Sequence, residues 1–453
     1  MSPRRRAGLS GMRQRIGTAA CEGGDDVAAA RLLRRTLRGR LHRPGDAAYD
    51  ALRRAHSPAV DSRPALVVEA YGAADVRAAV VAAREYGLPF AVQGTGHGTH
   101  VPCDGGVLVR TGAMATVLVD PDRRVAHVGA GTRWSDVLAA AAPFGLAPLS
   151  GSDPSVGVAG YTLGGGLGWL GRRHGFAADS LRRAEVVTAE GGLVAASAGE
   201  HPDLFWALRG GGGGFGVVTA MEIALFPVDR VYAGTVWFPI AQAGETLARY
   251  RDWIADAPDA LSTAVLLTRL DGERALALRV MHAGAPAEAE RLLAPLRAVA
   301  GPALRDDLRV TRFADAAMGG TAPRHLDLFE TLPDGAIDVL LAAGEHATVE
   351  VRHWGGAIAR PGADAGPAGH RSTALSAIVD APAPGLAAAL APYATGGSFL
   401  NFLADPARTE AAFTAPNLRR LREVRRAYDP DEVFSAGHAV APARGREASR
   451  LRW

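Results

Sequence analysis

Apolar and polar residues begin to alternate regularly near residue 65. Residues 65–69 form a short apolar run that predicts a buried strand, and Asp75 opens a helix with one apolar stripe. Residues 89–93 predict a second strand, which runs directly into the glycines at 94–98. A strand, a helix and a strand in this order favour parallel pairing of the two strands.

The pattern divides the chain into four parts. Residues 1–60 are arginine-rich and helical in character, and residues 61–230 combine short strands with glycine clusters. Residues 231–392 alternate strands with alanine-rich helices, which predicts a separate sheet with helical cover, and residues 393–453 form a tail. In the second part, further strands are predicted at 107–110, 116–119, 125–128, 184–188, 193–196 and 216–226.

The composition is that of a globular protein with extra glycine. Apolar residues make up 48% of the 453 residues and charged residues 21%, which excludes a largely disordered chain. No apolar run is long enough to cross a bilayer, so no membrane partner is expected. Glycine occurs 55 times, about 12% against a typical ~7%, and the excess is concentrated in short clusters.

Charge and cysteine content exclude several other classes of protein. All 50 basic residues are arginines, but 47 acidic residues leave a net charge of only +3. An arginine-rich nucleic-acid binder is therefore a remote alternative, which salt-dependent retention on DNA would support. Cys21 and Cys103 are too few for a disulfide framework or a thiolate metal site, and no apolar signal stretch follows the basic start. We expect a cytoplasmic protein without a metal site.

Three glycine clusters lie at or beside strand ends, at residues 94–98, 151–168 and 210–216. Backbone N–H groups without neighbouring side chains can converge on an anion, as in phosphate-binding nests. One cluster alone is more simply a tight turn, but three in one region indicate a site for an extended pyrophosphate ligand. The glycine content of 151–168 predicts a tightly packed loop and no regular element.

A dinucleotide fold of the Rossmann kind is the alternative interpretation of the glycines. Gly166, Gly168 and Gly171 match the spacing G-x-G-x-x-G, and Glu190 follows about twenty residues later. That fingerprint requires a buried strand before it and a helix after it, whereas a glycine-rich loop precedes it here. We therefore favour the three-cluster site, in which His97 stands between two glycines where a ligand would come close.

The run from about 64 to 227 resembles the FAD-binding domain of the berberine-bridge-enzyme-like oxidoreductases, in the vanillyl-alcohol-oxidase superfamily. The resemblance is based on residues 93–97, 156–168, 173–181, 201–212 and 215–219, and in the tail on 399–402 and 428–434. It implies an α+β (mixed α/β) fold with two lobes. One is a PCMH-type FAD-binding domain at 61–230, to which the tail returns, and the other is a substrate domain at 231–392 with a large antiparallel sheet covered by helices.

The same resemblance implies FAD as the cofactor, bonded covalently through His97. Asp153 stands where many members have a cysteine that forms a second bond, so a single bond is expected. The other cofactor-binding residues that the resemblance implies are Gly94, Thr95, Gly96, Gly98, Asp153, Gly157, Gly160, Tyr161, Gly164, Gly165, Gly166, Gly168, Gly216 and Val218.

The implied reaction oxidises a C–H bond beside a hydroxyl or amine of a small metabolite, by hydride transfer to flavin N5 and reoxidation by dioxygen. Relatives often use a tyrosine as the base, but Phe399 and Phe402 stand at the two corresponding positions. His174 is the first alternative base, since an imidazole titrates near neutrality, and Asn401 is expected to face the flavin. A flavin-binding protein of the same fold without turnover is the second hypothesis. We expect a monomer or homodimer that binds neither nucleic acid nor membrane.

Overall fold

A computed structural model describes residues 24–443 of the chain. Residues 1–23, which include Cys21 and the basic start, and residues 444–453 lie outside the described residues. The described part contains three β-sheets and twelve α-helices. This mixed architecture of sheets and helices confirms the predicted fold class.

The first sheet contains the predicted parallel unit. Its strands, in the spatial order β1-β2-β4-β3, are β1 (Arg40–His42), β2 (Leu66–Glu69), β3 (Phe90–Gln93) and β4 (Val107–Arg110). β4 pairs in parallel with both β2 and β3, and the amphipathic helix α3 (Ala73–Glu85) connects those two strands. The apolar stripe of α3 and helix α1 (Asp25–Thr36) share one apolar core with this sheet, so side-chain burial holds the unit together.

Within the described residues, the N-terminal part that was predicted to be a helical segment contains the strand β1 as well as the helices α1 and α2. β1 pairs antiparallel with β2, and α2 (Tyr49–Leu52) has only four residues. The arginine-rich sequence around β1 shows no alternation of polar and apolar residues, because its strand residues are half-buried or exposed. Pairing with β2 therefore determines its conformation, and local pattern does not.

The second sheet is antiparallel and carries most of the helices near the glycine clusters. Its strands, in the order β5-β6-β9-β7-β8, are β5 (Val117–Asp120), β6 (Val125–Gly129), β7 (Leu181–Val187), β8 (Leu193–Ser197) and β9 (Val217–Ala224). Between them lie α4 (Trp134–Ala141), α5 (Val158–Leu163), α6 (Gly171–His174) and α7 (Pro202–Leu208). The prediction that 151–168 contains no regular element is wrong, because α5 is a short helix inside it.

The third sheet is large and antiparallel, as predicted for the substrate domain. Its path is β13-β10-β12-β11-β16-β17-β15, and β14 also pairs with β10. The strands are β10 (Arg230–Pro239), β11 (Leu261–Leu270), β12 (Glu273–His282), β13 (Arg305–Asp306), β14 (Arg309–Arg312), β15 (His325–Phe329), β16 (Val349–His353) and β17 (Leu375–Val379). Its helices are α8 (Ala243–Trp253), α9 (Pro286–Ala300) and α10 (Asp334–Ala343).

The two faces of the third sheet have different neighbours. Val265, Leu278 and Val351 share a core with the helices α8, α9 and α10. Alternate residues such as Ala264 and Ala277 belong to the core that also contains the second sheet and α5. Because successive side chains of a strand point to opposite faces, this second face closes over the glycine-rich part of the chain. We call this face the roof.

The C-terminal tail contacts the N-terminal half of the chain. It contains α12 (Ala415–Tyr428), which shares an apolar core with α7, whereas the preceding helix α11 (Leu386–Leu390) packs in the core of the third sheet. Beyond α12, the ring of Phe434 packs edge-on against Phe90 of β3, with 5.7 Å between ring centroids. These contacts are those expected of a returning tail, while the exact domain limits stay predictions.

No helix within 24–443 is long and apolar enough to span a membrane. Short 3-10 helices join several of the elements described above. The 3-10 helices are Ala142–Phe144, Ala177–Ser180, Ile240–Gln242, Ile254–Asp256, Phe313–Asp315, Gly356–Ile358, Leu400–Phe402 and Pro406–Ala412.

Candidate active site

The loop 94–98 leaves β3 with its backbone N–H groups free. None of the five N–H groups donates to an acceptor among residues 24–443. Gly96 has a φ of +83°, and a Cβ there would lie 2.9 Å from the side-chain nitrogen of Gln93, so this position requires glycine. Gln93 itself donates to the carbonyl of Arg54 at 2.6 Å, which fixes the start of the loop. A series of unpaired N–H groups suits an anionic ligand.

The imidazole of His97 is held on one face and one edge. Its ring stacks on that of His56, with 3.8 Å between centroids and 18° between planes. Its Nε2 lies 3.1 Å from the hydroxyl oxygen of Ser155. Burial, followed by the nearby charge of His56, lowers the pKa of His97 below its usual value, so the ring is neutral at neutral pH. A neutral imidazole has one nitrogen with a free electron pair.

Asp153 lies beside this histidine, in the same segment as Ser155. Its Oδ1 accepts hydrogen bonds from the backbone N–H of Ser155 at 2.8 Å and from the Ser155 hydroxyl at 2.7 Å. Partial burial alone would raise the pKa of Asp153, but these bonds and the neighbouring histidines outweigh it, and the pKa lies below its usual value. The position expected to hold a second tether therefore carries an ionised carboxylate near His97.

The helix α5 brings the three glycine clusters together. At its N-terminal end, the N–H of Gly157 donates to the hydroxyl of Thr95 at 3.2 Å, which joins the second cluster to the first. At its other end, the carbonyl of Leu163 accepts from the N–H of Gly212 at 2.9 Å, which joins the third cluster. The sequence prediction that the clusters form one region is consistent with these contacts.

Each glycine cluster contains one glycine that no protein contact explains. A Cβ placed on Gly98, Gly160 or Gly213 would meet no atom within 4 Å, and none of the three has a positive φ. All three are exposed. Open space next to bare main chain in all three clusters is what close approach of an extended ligand would require. The residues present therefore fit a bound FAD.

Most of the other predicted glycines are explained by packing within the protein. A Cβ on Gly165 or Gly166 would lie within 3 Å of the Phe399 or Tyr161 ring, and one on Gly168 would lie 2.1 Å from a carbonyl oxygen. The same holds for Gly216, which has a φ of +150°, while Gly94 has only ordinary contacts. Val218 is buried in β9. Cofactor contacts of these residues stay predictions.

Asn401 anchors the turn that follows α5. Its side-chain oxygen accepts from the N–H of Gly166 at 2.7 Å, and its side-chain nitrogen donates to the carbonyl of Tyr161 at 3.2 Å. A Cβ on Gly164 would lie 2.3 Å from that nitrogen, so Gly164 and Asn401 fit each other closely. The structure gives Asn401 a role in positioning the glycine turn, and its predicted place facing the flavin stays a prediction.

The positions of the expected tyrosines form an apolar wall. Phe399 is buried and packs against Phe176 and Trp354, with centroid distances of 5.1 and 5.4 Å, and Phe402 packs against Phe399 at 5.4 Å. The ring of Phe399 also covers Gly165. No group on this wall can accept a proton, because all four side chains are aromatic hydrocarbons or an indole.

His174 lies at the end of α6 and is a weak base. Its ring stacks on Phe226, with 4.2 Å between centroids. Burial, followed by the charge of Arg173, lowers the pKa of His174 to about 4. It borders a surface pocket that is also lined by Arg182, Arg209 and Arg360, and its ring contact is with Phe226, away from the loop 94–98. Its predicted role as the base stays a prediction that these contacts do not favour.

The roof carries buried charges that the sequence analysis missed. Arg352 of β16 is buried and lies over the ring of Trp169, with 4.3 Å from its Cζ to the ring centroid. Glu350 of the same strand accepts from Arg279 at 3.3 Å and from the Thr321 hydroxyl at 2.8 Å. These residues come from distant parts of the chain and share no motif, so only the strand pairing shows that they are neighbours.

Three buried polar atoms near this cluster have no protein partner within residues 24–443. They are one Nη of Arg352, the Trp169 indole nitrogen and the Tyr161 hydroxyl. Burial raises the pKa of Tyr161, and the charge of Arg352 opposes that rise, which places the two groups near each other. Buried polar atoms normally find a partner, so a ligand or water is expected between Tyr161 and the roof.

Arg172 joins the glycine-rich part of the chain to the roof sheet. From α6, its guanidinium donates to the carbonyl oxygens of Leu261, Ala257, Pro258 and Trp354, and to Nε2 of His353. Burial, followed by this positive charge, lowers the pKa of His353 to about 2. His353 is therefore a neutral acceptor within a structural contact and not a base for catalysis.

Two family models match the chain. The model described as an FAD-binding domain matches residues 64–197, and the model described as berberine and berberine-like matches residues 398–441. Within the described ranges, no group of three or more His, Cys, Asp and Glu residues could hold a metal ion. These matches define an FAD-dependent oxidoreductase.

Curated relatives and solved structures agree with this class. The chain is 32% identical to (R)-6-hydroxynicotine oxidase of Paenarthrobacter nicotinovorans over 61% of the chain, and the match spans 62% of that relative. It is 27% identical to the FAD-linked oxidoreductase YgaK of Bacillus subtilis, over 90% of the chain and 98% of the relative. The structure of 6-hydroxy-D-nicotine oxidase from Arthrobacter nicotinovorans superposes with a TM-score of 0.79 at 24% identity, covering 90% of this chain and 99% of that one.

Berberine bridge enzyme from Eschscholzia californica has the same fold, with a TM-score of 0.77 at 18% identity over 92% of this chain and 99% of that one. The chain combines the FAD-binding model with the berberine-like tail model, in the predicted order. It therefore has the FAD-binding domain and the berberine-like C-terminal segment of an FAD-linked oxidoreductase.

Proposed function

We propose that this protein is an FAD-linked oxidase that carries its flavin on His97 through a single covalent bond and passes electrons to dioxygen. The observation that carries the proposal is the fixed, neutral imidazole of His97, which stands in a loop of unpaired N–H groups. The relative with 32% identity is named as an oxidase, which supports an oxidase over a dehydrogenase. A cytoplasmic location, predicted from the sequence, is part of the same proposal.

The chain's own residues would hold the cofactor mainly through main chain. The N–H groups of 94–98 would face the pyrophosphate, and Gly98, Gly160 and Gly213 would leave room for the ligand against each cluster. When bound, FAD supplies a ring that accepts a hydride from the substrate. The protein's contribution is to fix the position of this ring and to exclude water beneath the roof.

A single bond follows from the chemistry of the remaining residues. Asp153 replaces the expected cysteine, and an ionised carboxylate does not form the corresponding thioether. Cys103, the only cysteine among the described residues, is buried, and burial raises the pKa of its thiol to about 12. A thiol that stays protonated is a poor nucleophile, so Cys103 does not provide a second tether.

The apolar wall favours an amine over an alcohol as the substrate. An alcohol must lose its O–H proton as the hydride leaves, which requires a base at that point. Phe399, Phe402 and Phe176 offer none there. A neutral amine needs no such base, because its nitrogen electron pair stabilises the cation that is left. We propose a small amine that also carries an acceptor group, which the free Nη of Arg352 and the Tyr161 hydroxyl would bind.

Anaerobic mixing tests the reaction. Purified protein is mixed without oxygen with a panel of cyclic and secondary amines and with the matching alcohols, and the visible flavin absorbance is followed. We expect bleaching by at least one amine and by no alcohol, and formation of hydrogen peroxide when air is admitted. Bleaching by alcohols but not amines would contradict the assigned substrate class.

A flavin-binding protein without turnover is the second candidate function. The replacement of both expected phenols by Phe399 and Phe402 is the observation that favours it. The same panel distinguishes the two functions, because chemical reduction by dithionite shows that the flavin is intact. A flavin that dithionite bleaches, but that no amine or alcohol in a broad panel reduces, would favour the second function.

A further inference from the structure

A chain of hydrogen bonds links Asp153 through Ser155 to His97. The Ser155 hydroxyl lies 2.7 Å from Oδ1 of Asp153 and 3.1 Å from Nε2 of His97. The Ser155 backbone N–H donates to the same Oδ1 at 2.8 Å, which fixes the carboxylate with respect to the hydroxyl. The stacked ring of His56 covers one face of the His97 imidazole and so fixes the plane of the ring.

The number of hydrogen-bonding protons shared by Asp153, Ser155 and His97 determines which nitrogen of His97 is protonated. A serine hydroxyl has one hydrogen to donate, and an ionised carboxylate has none. The Ser155 hydrogen therefore lies between Ser155 and Asp153, and the Ser155 oxygen can only accept a hydrogen from His97. Because the ring is neutral, the proton is on Nε2 and the free electron pair is on Nδ1.

We infer that Ser155 and Asp153 are positioning residues that select the Nε2-protonated form of His97, so that Nδ1 is the atom that attaches the flavin. This inference depends on the proposed covalent bond to His97. It gives Asp153 a role of its own at a position where related proteins carry a second tether. Both residues act through the imidazole, which Ser155 contacts directly and Asp153 contacts through Ser155.

The attachment step is balanced with dioxygen as the oxidant. A bond forms between Nδ1 and the 8α-methyl carbon of FAD, one C–H bond of that methyl breaks, and the Nε2–H bond of His97 breaks. The two hydrogens and two electrons reduce one dioxygen to hydrogen peroxide. The Nε2 proton leaves through the Ser155 hydroxyl toward the Asp153 carboxylate, which its lowered pKa keeps available as an acceptor near neutral pH.

The test measures covalent attachment and does not depend on turnover. Full-length protein is prepared with little flavin, mixed with FAD in air, quenched with acid at intervals, and the fraction of flavin-bearing polypeptide is measured by mass spectrometry. We expect Ser155→Ala and Asp153→Ala to attach FAD about tenfold or more slowly than the unchanged protein. Proteolysis then gives histidyl-flavin peptides, which are compared with synthetic Nδ1- and Nε2-linked standards, and we expect Nδ1 linkage in the unchanged protein.

Two further variants separate positioning from general damage. Ser155→Thr keeps the hydroxyl and should attach FAD at nearly the unchanged rate. Ser152→Ala removes a neighbouring hydroxyl that has no hydrogen bond to His97 or Asp153, and it should have no effect. Non-covalent FAD binding, measured before attachment proceeds, should be the same in the Ser155 and Ser152 variants and shows that each has folded, and the far-UV circular dichroism spectrum makes this check for Asp153→Ala.

The outcomes distinguish this inference from the proposed function. Attachment by Ser155→Ala at the unchanged rate and only through Nδ1 would overturn the positioning role while leaving the bond to His97 in place. Unchanged protein that binds FAD but never attaches it would overturn the proposed covalent function itself. Slow attachment, or a mixture of Nδ1 and Nε2 linkage, in Ser155→Ala would support the inference.

Discussion

The loop region around His97 and the roof sheet meet at the same site but are built in different ways. Around His97, main chain provides the binding groups, through the free N–H groups of 94–98 and bare glycines in three clusters. On the roof, side chains provide them, through Arg279 of β12 and Glu350 and Arg352 of β16. The first region therefore suits an extended anionic cofactor such as FAD, and the second suits the polar groups of a smaller molecule.

Arg172→Ala tests whether the two regions depend on each other, and we expect it to have the largest effect. The buried guanidinium holds several carbonyl oxygens of the roof sheet, which would lose their partner. We expect the free energy of unfolding to fall by about 3 kcal/mol, measured by urea denaturation. The neighbouring Arg173→Ala, whose side chain is exposed, is the control and should change it by less than about 0.5 kcal/mol. Equal losses in both variants would show that Arg172 does not join the regions.

Gly160→Leu tests the role of bare main chain. A Cβ there would meet no protein atom within 4 Å, so the fold should keep its stability, but the side chain would occupy the space assigned to FAD. We expect FAD affinity to fall by about ten- to a hundredfold, measured by titration of the apoprotein. Gly199→Leu, another glycine with open space and no positive φ, is the control. Unchanged affinity in Gly160→Leu would place the cofactor elsewhere.

Arg352→Met tests whether the roof acts on the substrate alone. The change removes the free Nη and keeps a long apolar side chain over Trp169. We expect KM for the active amine to rise about tenfold, with the flavin content unchanged, because one charged hydrogen bond to the substrate is lost. Arg269→Met, at the exposed end of β11, should change neither quantity. A loss of flavin in Arg352→Met would contradict the division between the two regions.

The pH dependence of stability tests the neutral state of His353, with the smallest expected effect. The pKa of His353 is about 2 in the folded protein, against its usual value of 6.5, because burial and Arg172 oppose protonation. Below pH 6.5, the unfolded chain therefore binds a proton at His353 that the folded chain does not. The contribution of the neutral His353 to the free energy of unfolding is complete above pH 6.5 and decreases on acidification. The free energy of unfolding then falls by up to about 1.4 kcal/mol for each pH unit of acidification.

His353→Gln is the variant for this measurement, since glutamine can still accept from Arg172 and does not titrate. Between pH 5.5 and 4.5, the unchanged protein should lose about 1 kcal/mol more than the variant. If the free energy of unfolding changed with pH in the same way for both proteins, His353 would have the same pKa in the folded and unfolded states.

The difference between the regions also explains what the sequence could predict. The parallel unit β2-α3-β3 and the glycine loop 94–98 that carries His97 are local in the chain, so periodicity and glycine content predict them. The glycine pattern does not predict the helix α5, because contacts of Gly157 and Leu163 with the other two glycine clusters determine its conformation. Glu350 and Arg279 could not be found, because they are 71 residues apart and only the pairing of β11 with β12 and β16 makes them neighbours.

The central claim is that FAD is bonded to His97, and acid precipitation of the purified protein tests it most directly. The flavin absorbance should stay with the precipitated polypeptide, and the proteolytic peptide that contains residues 94–98 should carry the mass of the flavin. His97→Ala should release all of its flavin into the supernatant while it still folds. Flavin that is released from the unchanged protein, or found bonded to another peptide, would contradict the account.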